Sequence, residues 1–358
     1  MVATDSKRMT RAMDSGVPES RRTKTSIRAI AREAGVSVST VSRFLRGELT
    51  LKHETEDRIR AALLVAGYEQ GRAPASEAGA TRSGLVIGLL IPHTANSYYG
   101  RLADAVVRAA DDEGILVVLL STLNNPIRQL EYVELTAALR LGGLIYAGNY
   151  RTNEALERVI ASGIPTVLID EDVAGMPPVD RVLVDDYAGA YQAVTYLCSK
   201  GHTAIAFLAG PKELRSSSER ARAYADVLAR YGIEASDQFV LHGSFTEEFG
   251  AAAFARILST PRRPTAIFAA SDVIALGVIG AATSFGIRIP ADFSVVGFDD
   301  SPEARLVIPP LTTVRTPLAA IAEAAVARLR ERVSGADRPY ETITVPVNLE
   351  IRGSVAAR

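Results

Sequence analysis

The sequence predicts an α/β protein in two parts: a small three-helix headpiece near the N-terminus, then a two-lobe body with parallel sheets. Three observations carry this. Between Thr25 and Leu45, apolar residues recur at helical spacing until Gly35 breaks the pattern. From Leu85 onward, short apolar runs alternate with helical patterns, in two successive series. The charge divides as well: residues 1–82 hold 15 Lys and Arg against 10 Asp and Glu, so the remainder is acidic although the whole chain sums to −1.

At 358 residues the chain is too long for one typical domain, and with 47% apolar residues it can bury sizeable cores. No run of eighteen apolar residues occurs, and the first residues are polar and basic, which speaks against a membrane span or a secretory leader. One cysteine, Cys198, rules out an internal disulfide framework and fits a reducing cytoplasm, the expected location.

Residues 1–24 show no apolar periodicity and scatter Lys7, Arg8, Arg11, Arg21, Arg22 and Lys24 among small polar residues, so they read as a disordered basic tail. The headpiece spans residues 25–70. In TSIRAIAREAGVSVSTVSRFL, Ile27, Ile30, Ala31 and Ala34 form one helical stripe. Gly35 suits a left-handed C-cap, and Ser37 can cap a second helix that starts almost at once. Small Ala31 and Ala34 let the helices approach, with Val41, Phe44 and Leu45 filling the corner. That is a helix-turn-helix. A third helix within Leu51–Tyr68 carries Ile59, Ala62, Leu63 and Ala66 on one face, with Glu54, Glu56 and Asp57 near its start.

A two-helix corner of an ordinary core would show the same spacing. The second helix, however, offers hydroxyls and guanidinium groups and no carboxylate from Val38 to Arg46, a face suited to the anionic major groove of DNA. The candidate DNA-contacting residues are Ser37, Val38, Ser39, Thr40, Ser42 and Arg43. Among them Val38, Ser39 and Arg43 are the best placed to face base edges: Val38 toward a thymine methyl, Arg43 toward a guanine. The basic end faces phosphate, and the acidic remainder would by itself be repelled by it.

AREAGVSVSTVSRFL resembles the start of a lactose-repressor (LacI/GalR) family transcription factor, and later motifs extend the likeness to about Thr316. The resemblance implies a repressor, working as a homodimer, that reads double-stranded operator DNA and changes its grip when a small ligand binds. Whether dimers pair further stays open. It also implies that residues 71–84, small, polar and glycine-rich, form a hinge helix on DNA that wedges a leucine into the minor groove. Here the chain departs from the family: the leucine position falls on Glu77, and Pro74 lies inside the would-be helix. A carboxylate cannot wedge between base steps without a desolvation cost, so little central kinking of the operator is expected.

In residues 85–358, LVIGLLIP, ILVVLLS, GLIYAG and IPTVLID are strand-like runs separated by helical patterns at Leu102–Asp112 and Gln129–Leu141. AIAFLAG, TAIFAA and FSVVGFDD repeat the scheme, interleaved with Ala188–Lys200, Glu219–Tyr231, Phe249–Leu258 and Val273–Phe285. Two similar lobes follow, with the cleft beyond the strand ends as the natural pocket. By the resemblance this is a periplasmic-binding-protein-like core.

Immediately after the strands stand PHTANSYY (Pro92–Tyr99), Asp170, Phe245, Ser271 with Asp272, and Asp299 with Asp300, while Arg220 opens a helix. Carboxylates, one guanidinium and aromatic faces suit a polyol, sugar or nucleoside. The motifs RSSSERARAYADVL, ASDVIALG, VVGFDD and IPPLTTVRTP resemble their family counterparts, the first placing a ligand-gripping arginine, Arg220, four residues before Tyr224. By that match Tyr98, Tyr99, Asp170, Arg220, Phe245, Ser271 and Asp299 are the effector-binding candidates. Ser271 replaces a frequent asparagine, so the ligand's identity stays open, as does induction against corepression. Asp272 and Asp300 are expected to cap helices, PPLTT to be architectural, and Arg262 and Arg263 to form a solvated turn.

An enzyme would need a nucleophile with its base, or a metal set. His53, His93, His202 and His242 are scattered, Cys198 sits in an apolar helix, and no HExxH, CxxC or phosphate loop occurs. No catalytic residue, metal site or cofactor is therefore expected. A transporter's solute-binding protein shares the two-lobe plan but carries no DNA-binding head.

Overall fold

The computed structural model describes residues 27–45, 49, 51–65, 84–148, 153–173 and 175–358. The basic tail (1–24) and the hinge with Pro74 and Glu77 lie outside the described residues. The chain forms two compact units, residues 1–79 and 80–358.

In the first unit, α1 (Ile27–Glu33), α2 (Val38–Leu45) and α3 (His53–Val65) surround one small core of Ile30, Ala31, Ala34, Val41, Ile59, Ala62 and Leu63. α1 ends because Gly35 adopts φ +65°, which an L side chain would strain. The Gly35 N–H then donates to Arg32 O at 3.3 Å and the Val36 N–H to Ala31 O at 3.0 Å, satisfying the last carbonyls of the helix. Ser37 caps the next helix, its Oγ accepting the Thr40 N–H at 3.0 Å.

The second unit contains two six-stranded sheets. Its elements are β1 (Val86–Ile91), α4 (Ser97–Asp112), β2 (Leu116–Ser121), α5 (Pro126–Ala138), β3 (Gly143–Tyr146), α6 (Glu154–Ala161), β4 (Thr166–Asp170) and β5 (Asp180–Val184). The chain continues through α7 (Asp186–Ser199), β6 (Ile205–Ala209), α8 (Arg215–Arg230), β7 (Val240–His242), α9 (Glu247–Leu258), β8 (Ala266–Ala269), α10 (Asp272–Ser284) and β9 (Ser294–Asp299). It closes with α11 (Pro302–Leu306), β10 (Thr312–Arg315), α12 (Leu318–Val333), β11 (Thr342–Val345) and β12 (Asn348–Glu350).

The first lobe has strand order β11-β5-β4-β3-β1-β2, all parallel; the second has β12-β10-β9-β8-β6-β7, parallel except for β12 against β10. The central strands β1, β3 and β4 of the first sheet are buried on both faces, as parallel sheets require. Ile87, Leu89, Ile91, Ile145, Val167 and Ile169 point to the side of α4 and α12, while Leu90, Leu144, Tyr146 and Leu168 point to α5 and α6. In the second lobe α9 and α10 press so close that a Cβ on Gly277 would stand 2.0 Å from Glu247 O, and one on Gly250 2.1 Å from Ile274 O.

Three segments cross between the lobes: β5 to α7, β10 to α12 and β11 to β12. The crossing from β11 to β12, with β5 and α6, was not read from the sequence, whereas the PPLTT run was read as a crossover. Asp180, fully buried at the start of β5, accepts from Arg332 and Arg338 and so ties α12 and the chain after it to the first lobe.

Candidate functional sites

The DNA-facing candidates sit on α2. Val41 is buried in the three-helix core, which fixes the helix's rotation. Val38, Ser39 and Arg43 are then exposed, Val38 at 44%, while Thr40 and Ser42 are half-buried. The Ser37 hydroxyl also lies 2.8 Å from Ser39 Oγ and 2.7 Å from Thr40 Oγ1, forming a hydroxyl cluster at the helix start. The face therefore combines one apolar contact, several hydroxyls and a free-standing guanidinium position, the elements from which major-groove readout is made.

In the body, the seven candidates from six separate stretches of chain line a single cleft between the lobes: Tyr98, Tyr99, Asp170, Arg220, Phe245, Ser271 and Asp299. Asn96, Glu171 and Ser216 complete the lining. Asn96 caps α4 by accepting the Tyr98 N–H at 2.9 Å, which brings both tyrosines into the first turn facing the cleft. Their rings meet edge to face, 5.2 Å apart. Tyr98 donates its hydroxyl to Asp170 Oδ1 at 2.5 Å. Ser271 caps α10, accepting the Ile274 N–H, and reaches the cleft from that position.

Arg220 is held before any ligand arrives. Its Nε and Nη2 donate to Asp186 Oδ1 at 3.0 and 2.7 Å, Nη1 donates to Ala270 O, and the guanidinium lies 3.7 Å over the Phe298 ring. Burial opposes its charge, but Asp186 and Asp299 outweigh that and hold its pKa above the ordinary value. Arg215 donates to the other Asp186 oxygen at 3.0 Å.

The carboxyl groups behave oppositely. Burial pushes Asp170 up to about 6, against the hydrogen bond from Tyr98. Burial, reinforced by Asp170 and Asp186, pushes Glu171 up to about 8. Asp299 is raised well above its ordinary range by burial, opposed by Arg220. Asp170 and Asp299 both have positive φ, +70° and +114°, a conformation that costs energy in any residue but glycine and recurs at binding sites.

Two sequence expectations are corrected. Asp272 does not cap α10: Ser271 does, while Asp272 accepts from the Ser301 N–H at 2.7 Å and the Thr313 hydroxyl at 2.5 Å, pinning β10 beside β9. Asp300 does not cap α11, where Ser301 serves; it gathers Arg305, Arg315 and Arg352. Tyr224, paired with Arg220 in the motif, stays in the core, stacked on Phe207 and donating to Ile205 O at 2.8 Å. Cys198 is a buried thiol whose pKa burial pushes up to about 11. PPLTT carries buried Thr312 and Thr313 into β10, and Arg262 and Arg263 are exposed. Among the described residues no helix is long and apolar enough to cross a membrane, and no His, Cys, Asp and Glu group is arranged to hold a metal ion.

Residues 26–70 match the family model for bacterial regulatory proteins of the lacI family, and residues 194–355 match that for a periplasmic binding protein-like domain. The chain is 34% identical over 337 residues to the HTH-type transcriptional regulator MalR of Streptomyces coelicolor, covering 92% of this chain and 96% of that protein. It is 30% identical over 331 residues to the HTH-type transcriptional repressor PurR of Mannheimia succiniciproducens, covering 92% and 98%. A solved structure of the transcriptional regulator CelR with cellobiose aligns with a TM-score of 0.71 at 26% identity, over 92% of this chain and 99% of that one. A three-helix head with a hydroxyl-rich second helix, a two-lobe cleft and relatives matched almost end to end agree. The chain belongs to the lacI family of bacterial regulatory proteins, as a DNA-binding transcriptional regulator, not an enzyme, with a periplasmic-binding-protein-like effector-binding body.

Proposed function

We propose that the protein is a cytoplasmic repressor acting as a homodimer, which reads a two-fold operator through α2 and changes its affinity when a small polar effector, sugar- or nucleoside-like, binds in the cleft. The observation that carries this reading is the convergence of Tyr98, Tyr99, Asp170, Arg220, Phe245, Ser271 and Asp299 on one interlobe cleft. Their aromatic faces and fixed charged groups match the hydrogen-bonding pattern of a hydroxylated ring. The cellobiose bound to CelR supports a sugar, and the repressor named among the relatives supports repression.

The enclosed volume of the cleft is about 30 Å³, space for about two water molecules. A sugar-sized effector therefore enters only when the lobes part, which gives the two arrangements that regulation requires. For the homodimer, the support is apolar surface. Leu116 and Leu119 are exposed on β2, at the sheet edge, and Ile127 and Leu130 are exposed on α5; in the other lobe Leu306, Ile308 and Ile351 are exposed, Ile308 at 91%.

The test is thermal unfolding of the full-length protein with sugars and nucleosides, repeated on Arg220→Ala, followed by operator binding with each ligand that stabilises it. Stabilisation of the wild type that is lost in Arg220→Ala supports the reading. A ligand that stabilises both equally binds elsewhere and contradicts it.

A further inference from the structure

The charges lining the cleft do not balance. On the acidic side stand Asp170, Glu171 and Asp299 in the lining, with Asp186 fully buried behind them. The basic side offers Arg220 and Arg215, both already engaged with Asp186, and, outside the lining, Arg101, which acts on Asp299 and whose Nη1 donates to Asp300 O at 3.2 Å. Buried Asp272 adds a further carboxyl close enough to act on Asp299. In the lining itself three carboxyl groups, Asp170, Glu171 and Asp299, face one guanidinium group, Arg220. The donors that reach Asp170 and Glu171 are the Tyr98 hydroxyl, the Ser216 hydroxyl and the Ser216 backbone N–H, none of which carries charge.

Asp299 stands apart. It is 8% exposed, lines the cleft, and among the described residues no group donates a hydrogen bond to its carboxylate. Its carboxylate oxygens open to the cleft, so it is left to water, a ligand or a proton to satisfy them. Tyr98, Tyr99 and Phe245 also line the cleft, and the negative quadrupole of an aromatic ring favours a cation over an anion.

We propose that the effector carries a protonated amine on a hydroxylated, sugar-sized scaffold, an amino sugar, with the ammonium group seated on Asp299 and Asp170 against the tyrosine faces. This rests on the reading of the cleft as the effector site and adds the ligand's charge. A phosphorylated sugar or nucleotide is not expected to bind, because Arg220 and Arg215, the cations that would meet its charge, are already engaged with Asp186. The raised pKa values agree with the geometry: without a cation the carboxyl groups retain protons, and an ammonium group takes the protons' place. Binding therefore releases protons.

The experiment is isothermal titration calorimetry of the full-length protein with matched compounds: glucosamine, glucose and glucose 6-phosphate, then galactosamine and galactose, with spermidine as an amine without hydroxyls. The expected result is that one of the amino sugars binds about tenfold or more tightly than its neutral partner, glucose 6-phosphate gives no heat, and proton release shows as a dependence on buffer ionisation enthalpy. In Asp299→Asn, which removes charge at nearly constant shape and breaks no hydrogen bond, the preference collapses toward equality; unchanged unfolding of that variant shows that its fold persists. A neutral sugar that binds as tightly as its amino counterpart overturns the proposal and leaves the effector cleft standing. Silence from every amine, with any neutral sugar bound, does the same, and silence from the whole panel overturns both.

Discussion

Glu171, at the end of β4, caps α8 from the opposite lobe: its Oε2 accepts the Ser216 backbone N–H at 3.2 Å, and its Oε1 accepts the Ser216 hydroxyl. α8 has no cap of its own, because Leu214 occupies the N-cap position and offers no acceptor. The first lobe thus completes a helix of the second, and the contact exists only while the lobes are together.

Glu171→Ala removes that cap and leaves donors unmet. The expected cost is about 1–3 kcal/mol, with faster amide hydrogen exchange at Ser216 to Ser218 and a more expanded body by small-angle scattering. Glu171→Gln, which keeps the acceptor, should exchange as wild type does. Equal exchange in wild type and Glu171→Ala would show that the cap does not hold the lobes.

The same carboxyl groups set a pH dependence. Asp170 and Glu171 keep their protons in the folded chain up to about 6 and about 8, whereas the unfolded chain loses them in the ordinary carboxylate range. The folded state then binds more protons than the unfolded one, so stability falls as pH rises from about 5 to about 8, by up to about 1.4 kcal/mol per pH unit for each such group. Asp300, brought down to about 2 by Arg305, Arg315 and Arg352 against the effect of burial, acts only below that window. Denaturant unfolding across pH 5 to 8.5 checks this: the wild type should weaken toward alkaline pH and Glu171→Gln should show a shallower slope. A wild type that gains stability over the range refutes the assignment.

Arg220→Ala should lower stability as well as abolish the ligand response. Asp186 is fully buried, and losing one of its two guanidinium partners costs about 3 kcal/mol. The denaturant midpoint measures it; an unchanged midpoint would mean that Arg215 alone suffices.

Gly277→Ala tests the packing of α9 on α10. The added methyl would fall 2.0 Å from Glu247 O, which is backbone and cannot swing away. Overpacking of this kind costs about 1–3 kcal/mol, read as a lowered unfolding midpoint of the body; a neutral substitution would mean that the helices separate freely.

Arg43→Ala should relax discrimination at one base pair per half-site by roughly 1–3 kcal/mol, since an exposed guanidinium on α2 is suited to a guanine edge. Competition between duplexes altered at single positions measures it. Unchanged preference would assign the reading to another residue of the helix.

Much of this arrangement was legible in the chain. The headpiece was read in detail because Gly35, Ser37 and the Ala31 and Ala34 stripe each have a local consequence, and local rules decide turns and caps. The cleft residues were legible because they stand at strand ends. Glu171 was not read because successive residues of a strand normally face opposite ways, and only the +70° φ of Asp170, which the sequence does not reveal, turns the chain and brings both to the cleft. Ser216 was missed because its partner lies in the other lobe. β5 and β10 hid behind polar residues, Asp180, Arg181, Thr312 and Thr313, whose burial depends on distant partners such as Arg332, Arg338 and Asp272. Asp272 and Asp300 went the same way, since a cap and a long-range anchor look alike in sequence.

The most direct test is selection of binding sites from random duplex DNA by the full-length protein at low ionic strength. The account predicts enrichment of a two-fold symmetric sequence, with half-sites about one helical turn apart for a dimer presenting two α2 helices, and an affinity that falls steeply with added salt. If no sequence is enriched over the starting pool, α2 does not read DNA and the account is contradicted.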